Sequence, residues 1–276
     1  MTQAMPLTAS QVAPTSHYRL RHVVKSEIVK VLTLPSTAIT LGVTVVVGLL
    51  VTGLVTNSSL NHDPRFYDGF DPTQNALTGL IVAGLTGGVF GALLITGEYS
   101  SGTIRASLAA TPRRPVLLMA KLGVTAVAMI VFCEILSFAA FWMGEAILSG
   151  GGAPSASLGS PGAFRAVWMT GLFIALLALM SFGFGLVFRS TAAAISAFVG
   201  VVFVLPLVIR GISESATRYT PTRILVNSIM NTTQQGPPGG GGPINDFSPG
   251  VGLLLMAIYA AIALAAGAAV FMNRDA

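Results

Sequence analysis

Three glutamates stand where a carboxylate is costly. Glu98 opens a polar, basic island between two long apolar runs: Gly97-Glu98-Tyr99-Ser100-Ser101-Gly102-Thr103-Ile104-Arg105, then Leu108 and Pro112-Arg113-Arg114-Pro115. Glu27 interrupts an apolar stripe between Val23 and Val31, and a carboxylate there requires a partner. Glu134 is the one ionisable group deep in an apolar run. Such a group faces the interior of a bundle, where it either marks a pathway or bonds to a neighbouring helix.

The usual catalytic constellations are missing. His17, His22 and His62 have no metal-ligand spacing, and Cys133 is the single cysteine. No phosphate loop of the G-x-x-x-x-G-K-[ST] type occurs, and the glycines at 239–242 lack the lysine that should follow. Asp63, Asp68 and Asp71, with Arg65, form a solvated loop without the glycine turn and closing glutamate of a calcium hand. The expectation is a chain that is not an enzyme and binds neither metal nor cofactor.

Composition says what surrounds these groups. Hydrophobic residues make up 53% and charged residues 9%, and mean hydropathy is +0.77. Soluble domains carry about 25% charged residues, so the chain is expected to be an all-α membrane protein. A net charge of +5 would suggest nucleic acid in a soluble protein. Here it reflects basic residues gathered at the cytoplasmic ends of spans, and no nucleic-acid partner is expected.

Each span needs about 20 apolar residues. Six are expected, at 37–55, 76–96, 116–144, 166–188, 191–209 and 250–272. A disordered tail covers 1–16. Because that tail is polar, the first apolar run reads as a retained span rather than a signal peptide. Residues 17–35 form an amphipathic helix in the headgroup region, ended by Pro35. In the second span Gly79, Ala83, Gly87 and Gly91 make a flat strip for close helix packing, with Gly84, Gly88 and Ala92 beside it. Between the last two spans, Thr220-Pro221 starts a short helix whose stripe is Ile224, Leu225, Ile229 and Met230. It is expected to lie on, or dip into, the outer leaflet. Residues 273–276 close the chain inside the cell.

Placing both termini inside puts ten basic residues on the cytoplasmic side, Lys121 among them, and five outside. The polar island then lies inside. Ile104 and Leu108, one turn apart, give it an apolar patch, and Arg105, Arg113 and Arg114 add cations. A short helix of this kind suits docking into a groove of a soluble partner.

The run from Gly97 to Arg105, with Leu108, Pro112, Arg113 and Arg114, resembles the signature of ABC transporter permease subunits of the type-2 exporter family. Ser26-Glu27-Ile28-Val29-Lys30 is similar to that family's connecting helix, and Asn273-Arg274-Asp275-Ala276 to a common family ending. The resemblance implies a multi-pass subunit of the bacterial cytoplasmic membrane that works with a second permease copy, identical or related. It implies two separate ATPase chains that hold the ATP and magnesium. The helix after Glu98, with Tyr99, Gly102, Thr103, Ile104 and Arg105, would be the coupling helix, and the helix bearing Glu27 and Lys30 the connecting helix. The helix after the fifth span would be re-entrant. Glu27 is expected to pair with Arg105 or with a basic residue of the ATPase.

Two other classes stay open. A secondary transporter or channel would need intramembrane charges or paired broken helices, and only Glu134 is on offer. A polytopic enzyme or assembly factor would need an acidic or histidine cluster at one membrane face. The residues do not name a substrate.

Overall fold

The structure, a computed structural model, describes residues 20–61, 67, 70–111, 113–229 and 247–273. The expected tail, His17, His62, Asp63, Arg65, Asp68, Pro112, Met230, the glycine run at 239–242 and the ending from Arg274 lie outside these residues.

The described residues form helices and turns without a strand. Their order is α1 (Leu20–Thr33), α2 (Pro35–Ser58), α3 (Pro72–Thr78), α4 (Leu80–Ser100), α5 (Thr103–Ala110), α6 (Arg114–Gly150), α7 (Ala163–Phe188), α8 (Thr191–Val199), α9 (Leu205–Ile212), α10 (Pro221–Ile229) and α11 (Pro249–Asn273). Six helical stretches are long and apolar enough to cross a membrane: α2, α3 with α4, α6, α7, α8 with α9, and α11. The chain is a multi-pass membrane protein in architecture.

The outer surface supports this beyond length alone. Helix α2 turns Thr37, Thr44, Gly48, Thr52 and Thr56 inward. It exposes Ile39, Val43, Val46, Leu50 and Leu54. This inverts the pattern of a soluble helix and suits a hydrocarbon solvent, where small and polar residues make the interface.

Helix α7 is the centre, packed against α4, α6, α8 and α11. Glycines let these helices approach. A Cβ at Gly91 would lie 2.0 Å from the Ala178 carbonyl oxygen of α7, and one at Gly183 would lie 2.6 Å from the backbone of Ala263 in α11. The small-residue strip of α4 thus serves packing within the chain. Gly79 sits on the Thr52 backbone, Ala83 against Gly48, and Gly87 against Ile174.

Several expected boundaries shift. Helix α6 has 37 residues, about 55 Å at 1.5 Å per residue, so it outruns a hydrocarbon core of about 30 Å. Asp71 is a helix cap, accepting from the Gln74 N–H at 3.2 Å, rather than a loop charge. The fifth span is not uniform: Gly200–Val204 forms a π turn between α8 and α9. Pro206 supplies the reason. It has no N–H to offer the carbonyl four residues back, and that Val202 carbonyl instead accepts the Thr222 hydroxyl of α10 at 2.5 Å. Ile224, Leu225 and Ile229 are buried in the main core cluster. The apolar stripe of α10 therefore packs on α11 and α7 instead of facing lipid.

Candidate functional site

Helix α1, the end of α4, α5 and the start of α6 meet at one end of the bundle. Val23, Ile95, Ile104, Leu117, Leu118, Phe182, Leu186 and Phe271 form an apolar cluster there. Four charges sit among these helices and make a closed ring. Lys121 Nζ donates to Glu27 Oε2 at 2.6 Å and to Glu98 Oε1 at 2.5 Å. Lys30 Nζ donates to Glu27 Oε1 at 2.9 Å and lies 3.5 Å from Glu98 Oε1. It also donates to Ser107 Oγ of α5 at 3.0 Å. Charges alternate in sign around the ring, and its net charge is zero.

Glu27, Glu98 and Lys121 are buried, at 3%, 8% and 4% exposure. Bare charges at such depth are expensive, and pairing with hydrogen bonds is what makes them tolerable. Burial pushes the Glu27 carboxyl up, but the Lys121 charge and its hydrogen bond, joined by Lys30, outweigh this. Glu27 is held below its ordinary value. Burial likewise pushes Lys30 down, and the Glu27 hydrogen bond with the Glu98 charge reverses this, so Lys30 is held above its ordinary value. One oxygen is left over: Glu98 Oε2 is buried without a hydrogen-bond partner.

The expected pairing of Glu27 with Arg105 does not form. Arg105 is exposed on α5, and Lys121 and Lys30 take the carboxylate instead. Lys121 enters the sequence reading only as one of the ten basic residues on the cytoplasmic side. Its signal was present: a lysine inside the apolar run from Val116 onward is rare unless it is paired.

The polar island divides by side. Gly102 adopts φ +72°, a conformation that favours glycine, and it turns the chain from α4 into α5. Ile104 is 2% exposed, packed into the apolar cluster, and Leu108 is packed against that cluster. Their apolar patch is therefore spent on the chain's own bundle. The free side of α5 carries Thr103, Arg105, Ala106, Ala109 and Ala110, and Arg113 follows exposed. Tyr99 lies beneath the Arg189 guanidinium, 5.4 Å from its ring centroid. Arg189, with φ 54°, ends α7 in the left-handed region and donates to the Val270 carbonyl at 3.4 Å. Arg114 donates to the Met272 carbonyl at 3.2 Å. Two guanidiniums thus close the C-terminal end of α11, where cations are favoured.

The chain belongs to DUF2705, a family of proteins of unknown function. The family model matches residues 65–276. Glu98, Lys121 and Ser107 fall inside the match, whereas Glu27 and Lys30, on α1, precede it. No curated protein matches the chain.

Glu134 is far from the ring. It lies on α6 against Gly171 of α7, where a Cβ would come within 2.7 Å of its carboxylate. Among the described residues no group of histidine, cysteine, aspartate or glutamate could hold a metal ion.

Proposed function

We infer that this chain is the membrane-spanning subunit of an ATP-driven exporter, coupled to separate ATPase chains at the end that carries the charge ring. The observation that carries this reading is the ring itself. It fastens α1, α4, α5 and α6 into one unit, so that a push on α5 is delivered to two spans at once. A lone surface helix would yield without moving them.

The free side of α5 supplies the docking chemistry. Small residues make it flat, and Arg105 and Arg113 make it cationic. An ATPase groove with acidic rims is the complement. In this reading α1 is the connecting helix, α5 the coupling helix and α10 the helix that closes the far end. Eight described lysines and arginines lie at the ring end and four at the other. That imbalance favours the ring end, and with it both termini, facing the cytoplasm of a bacterial cell. Two ATPase chains, carrying ATP and magnesium, and a second permease chain would complete the assembly.

The test is capture from native membranes by the tagged full chain, with ATP-binding proteins revealed by azido-ATP photolabelling. A labelled chain should co-purify with the unaltered protein. Arg105→Glu with Arg113→Glu should abolish its capture while the thermal midpoint stays unchanged, because both side chains are exposed. No labelled chain, or equal capture by the variant, would refute the docking reading.

One observation favours a second reading. Glu134 is an intramembrane carboxylate without a charged partner among the described residues, as a stand-alone secondary transporter would need. Uptake or efflux by the purified chain in vesicles, driven by an ion gradient without ATP, would select it.

A further inference from the structure

We propose that the α6–α7 seam around Glu134 is a binding site for lipophilic monocations, such as quaternary ammonium or phosphonium amphiphiles. It does not rest on the ATP-driven reading, since binding to the seam needs no ATPase.

Three pairs fix how the two helices face each other. Ser137 Oγ donates to the Val167 carbonyl at 2.7 Å. Phe138 meets Phe164 with ring centroids 6.1 Å apart. Glu134 lies on Gly171. On α6, Glu134, Phe138 and Trp142 recur every four residues and share one face; on α7, Phe164, Trp168 and Gly171, spaced by four and then three, also share one face. Phe138 also approaches Trp142 at 5.9 Å. The seam is therefore aromatic toward one end and closes on a carboxylate deeper in.

The chain has two tryptophans, and both stand on this seam. Trp142 is 59% exposed, Trp168 43% and Phe164 55%. Glu134 is 8% exposed, and no side chain answers its carboxylate, which has only the backbone N–H of Leu172 near it. No described cation pairs with it. This is the reverse of the ring at the other end, where every charge is answered. An unanswered carboxylate beneath aromatic faces lacks one thing, a positive charge with an apolar body. Aromatic faces attract such a cation through their quadrupoles, and the carboxylate attracts it through its charge. Gly171 matters because any side chain there would displace the carboxylate.

The experiment uses the full chain in phosphatidylcholine vesicles, labelled tetraphenylphosphonium as the probe, and tryptophan emission as a second readout. Tetraphenylborate, the same shape with the opposite charge, is the comparison. Saturable phosphonium binding is expected, with a concurrent change in tryptophan emission, and none for the borate. Glu134→Gln keeps shape and loses charge, so it should weaken binding at least tenfold. Trp142→Leu and Trp168→Leu alter exposed positions outside the core, and each should weaken binding several-fold in a folded chain. Non-saturable partitioning that is the same in Glu134→Gln would overturn the site. So would saturable borate binding, or unaltered affinity in both tryptophan variants; the tryptophans then anchor the bundle in lipid and do no more.

Discussion

Lys121→Met tests whether the charge ring holds the basic end together. The substitution keeps an apolar stem of similar length and removes one of two cations. Glu27 then keeps only Lys30 at 2.9 Å, and Glu98 only Lys30 at 3.5 Å. Two buried carboxylates would share one half-exposed ammonium. Removing one partner of a buried pair costs about 3–5 kcal/mol. For a chain of this size each kcal/mol moves the midpoint by about 2–4 °C, so the expected fall is about 6–20 °C.

The double variant Glu27→Gln, Lys121→Met sharpens the inference. It removes one charge of each sign and leaves Lys30 with Glu98. It should be more stable than the two single losses added together, by a coupling of about 2 kcal/mol. Cys133 is the sole cysteine and is buried, so a thiol-reactive fluorophore reports unfolding directly at a fixed heating rate. A midpoint for Lys121→Met within error of the unaltered chain would refute the ring as a structural joint. Strict additivity in the double variant would refute the pairing.

Acid and base should unfasten the ring in opposite ways. Glu27 is held below its ordinary value of 4.5, so its contribution is complete above that pH and is lost as pH falls through the folded value. Lys30 is held above its ordinary 10.5, so its contribution is complete below that pH and is lost as pH rises through the folded value. The contribution of the ring to the thermal midpoint should be level between these limits, and Glu27→Gln should flatten the acid limb. Gly91→Leu should destabilise strongly, because even its Cβ meets the Ala178 carbonyl at 2.0 Å. Gly97→Ala, with nothing within 4 Å, should be neutral or gain up to about 1 kcal/mol; equal midpoints for the two would contradict the α4–α7 approach. Thr222→Val should cost about 1–3 kcal/mol by stranding the Val202 carbonyl, and a midpoint like the unaltered chain's would show that carbonyl to be satisfied otherwise.

The six long apolar helices were legible because a hydrocarbon solvent imposes a length and a composition that any stretch of about 20 residues displays. The partners of the charges were not. Glu27 and Lys121 are 94 residues apart, and no local periodicity links positions so distant. Ile104 and Leu108 illustrate a second limit. Their spacing correctly announces an apolar face, but spacing does not say whether that face meets the same chain or another. Here it meets the same chain. The π turn in the fifth span had a visible cause in Pro206, yet the residue that rescues the freed carbonyl, Thr222, lies on a separate helix.

Helix α6 joins the two chemistries. It carries Lys121 near one end and Glu134, Phe138 and Trp142 toward the other, on one unbroken run from Arg114 to Gly150. Thirteen residues separate Lys121 from Glu134, about 20 Å along the axis. The fifth span contrasts with it, since a π turn at 200–204 interrupts the α-helical hydrogen-bond pattern between α8 and α9. The unbroken α6 is thus the direct covalent and hydrogen-bonded link between the ring and the seam. The hypothesis that the ring commands the seam has a direct measure. Lys121→Met should change the tryptophan emission of a chain that has no probe bound, and identical emission spectra would mean that the two sites act independently.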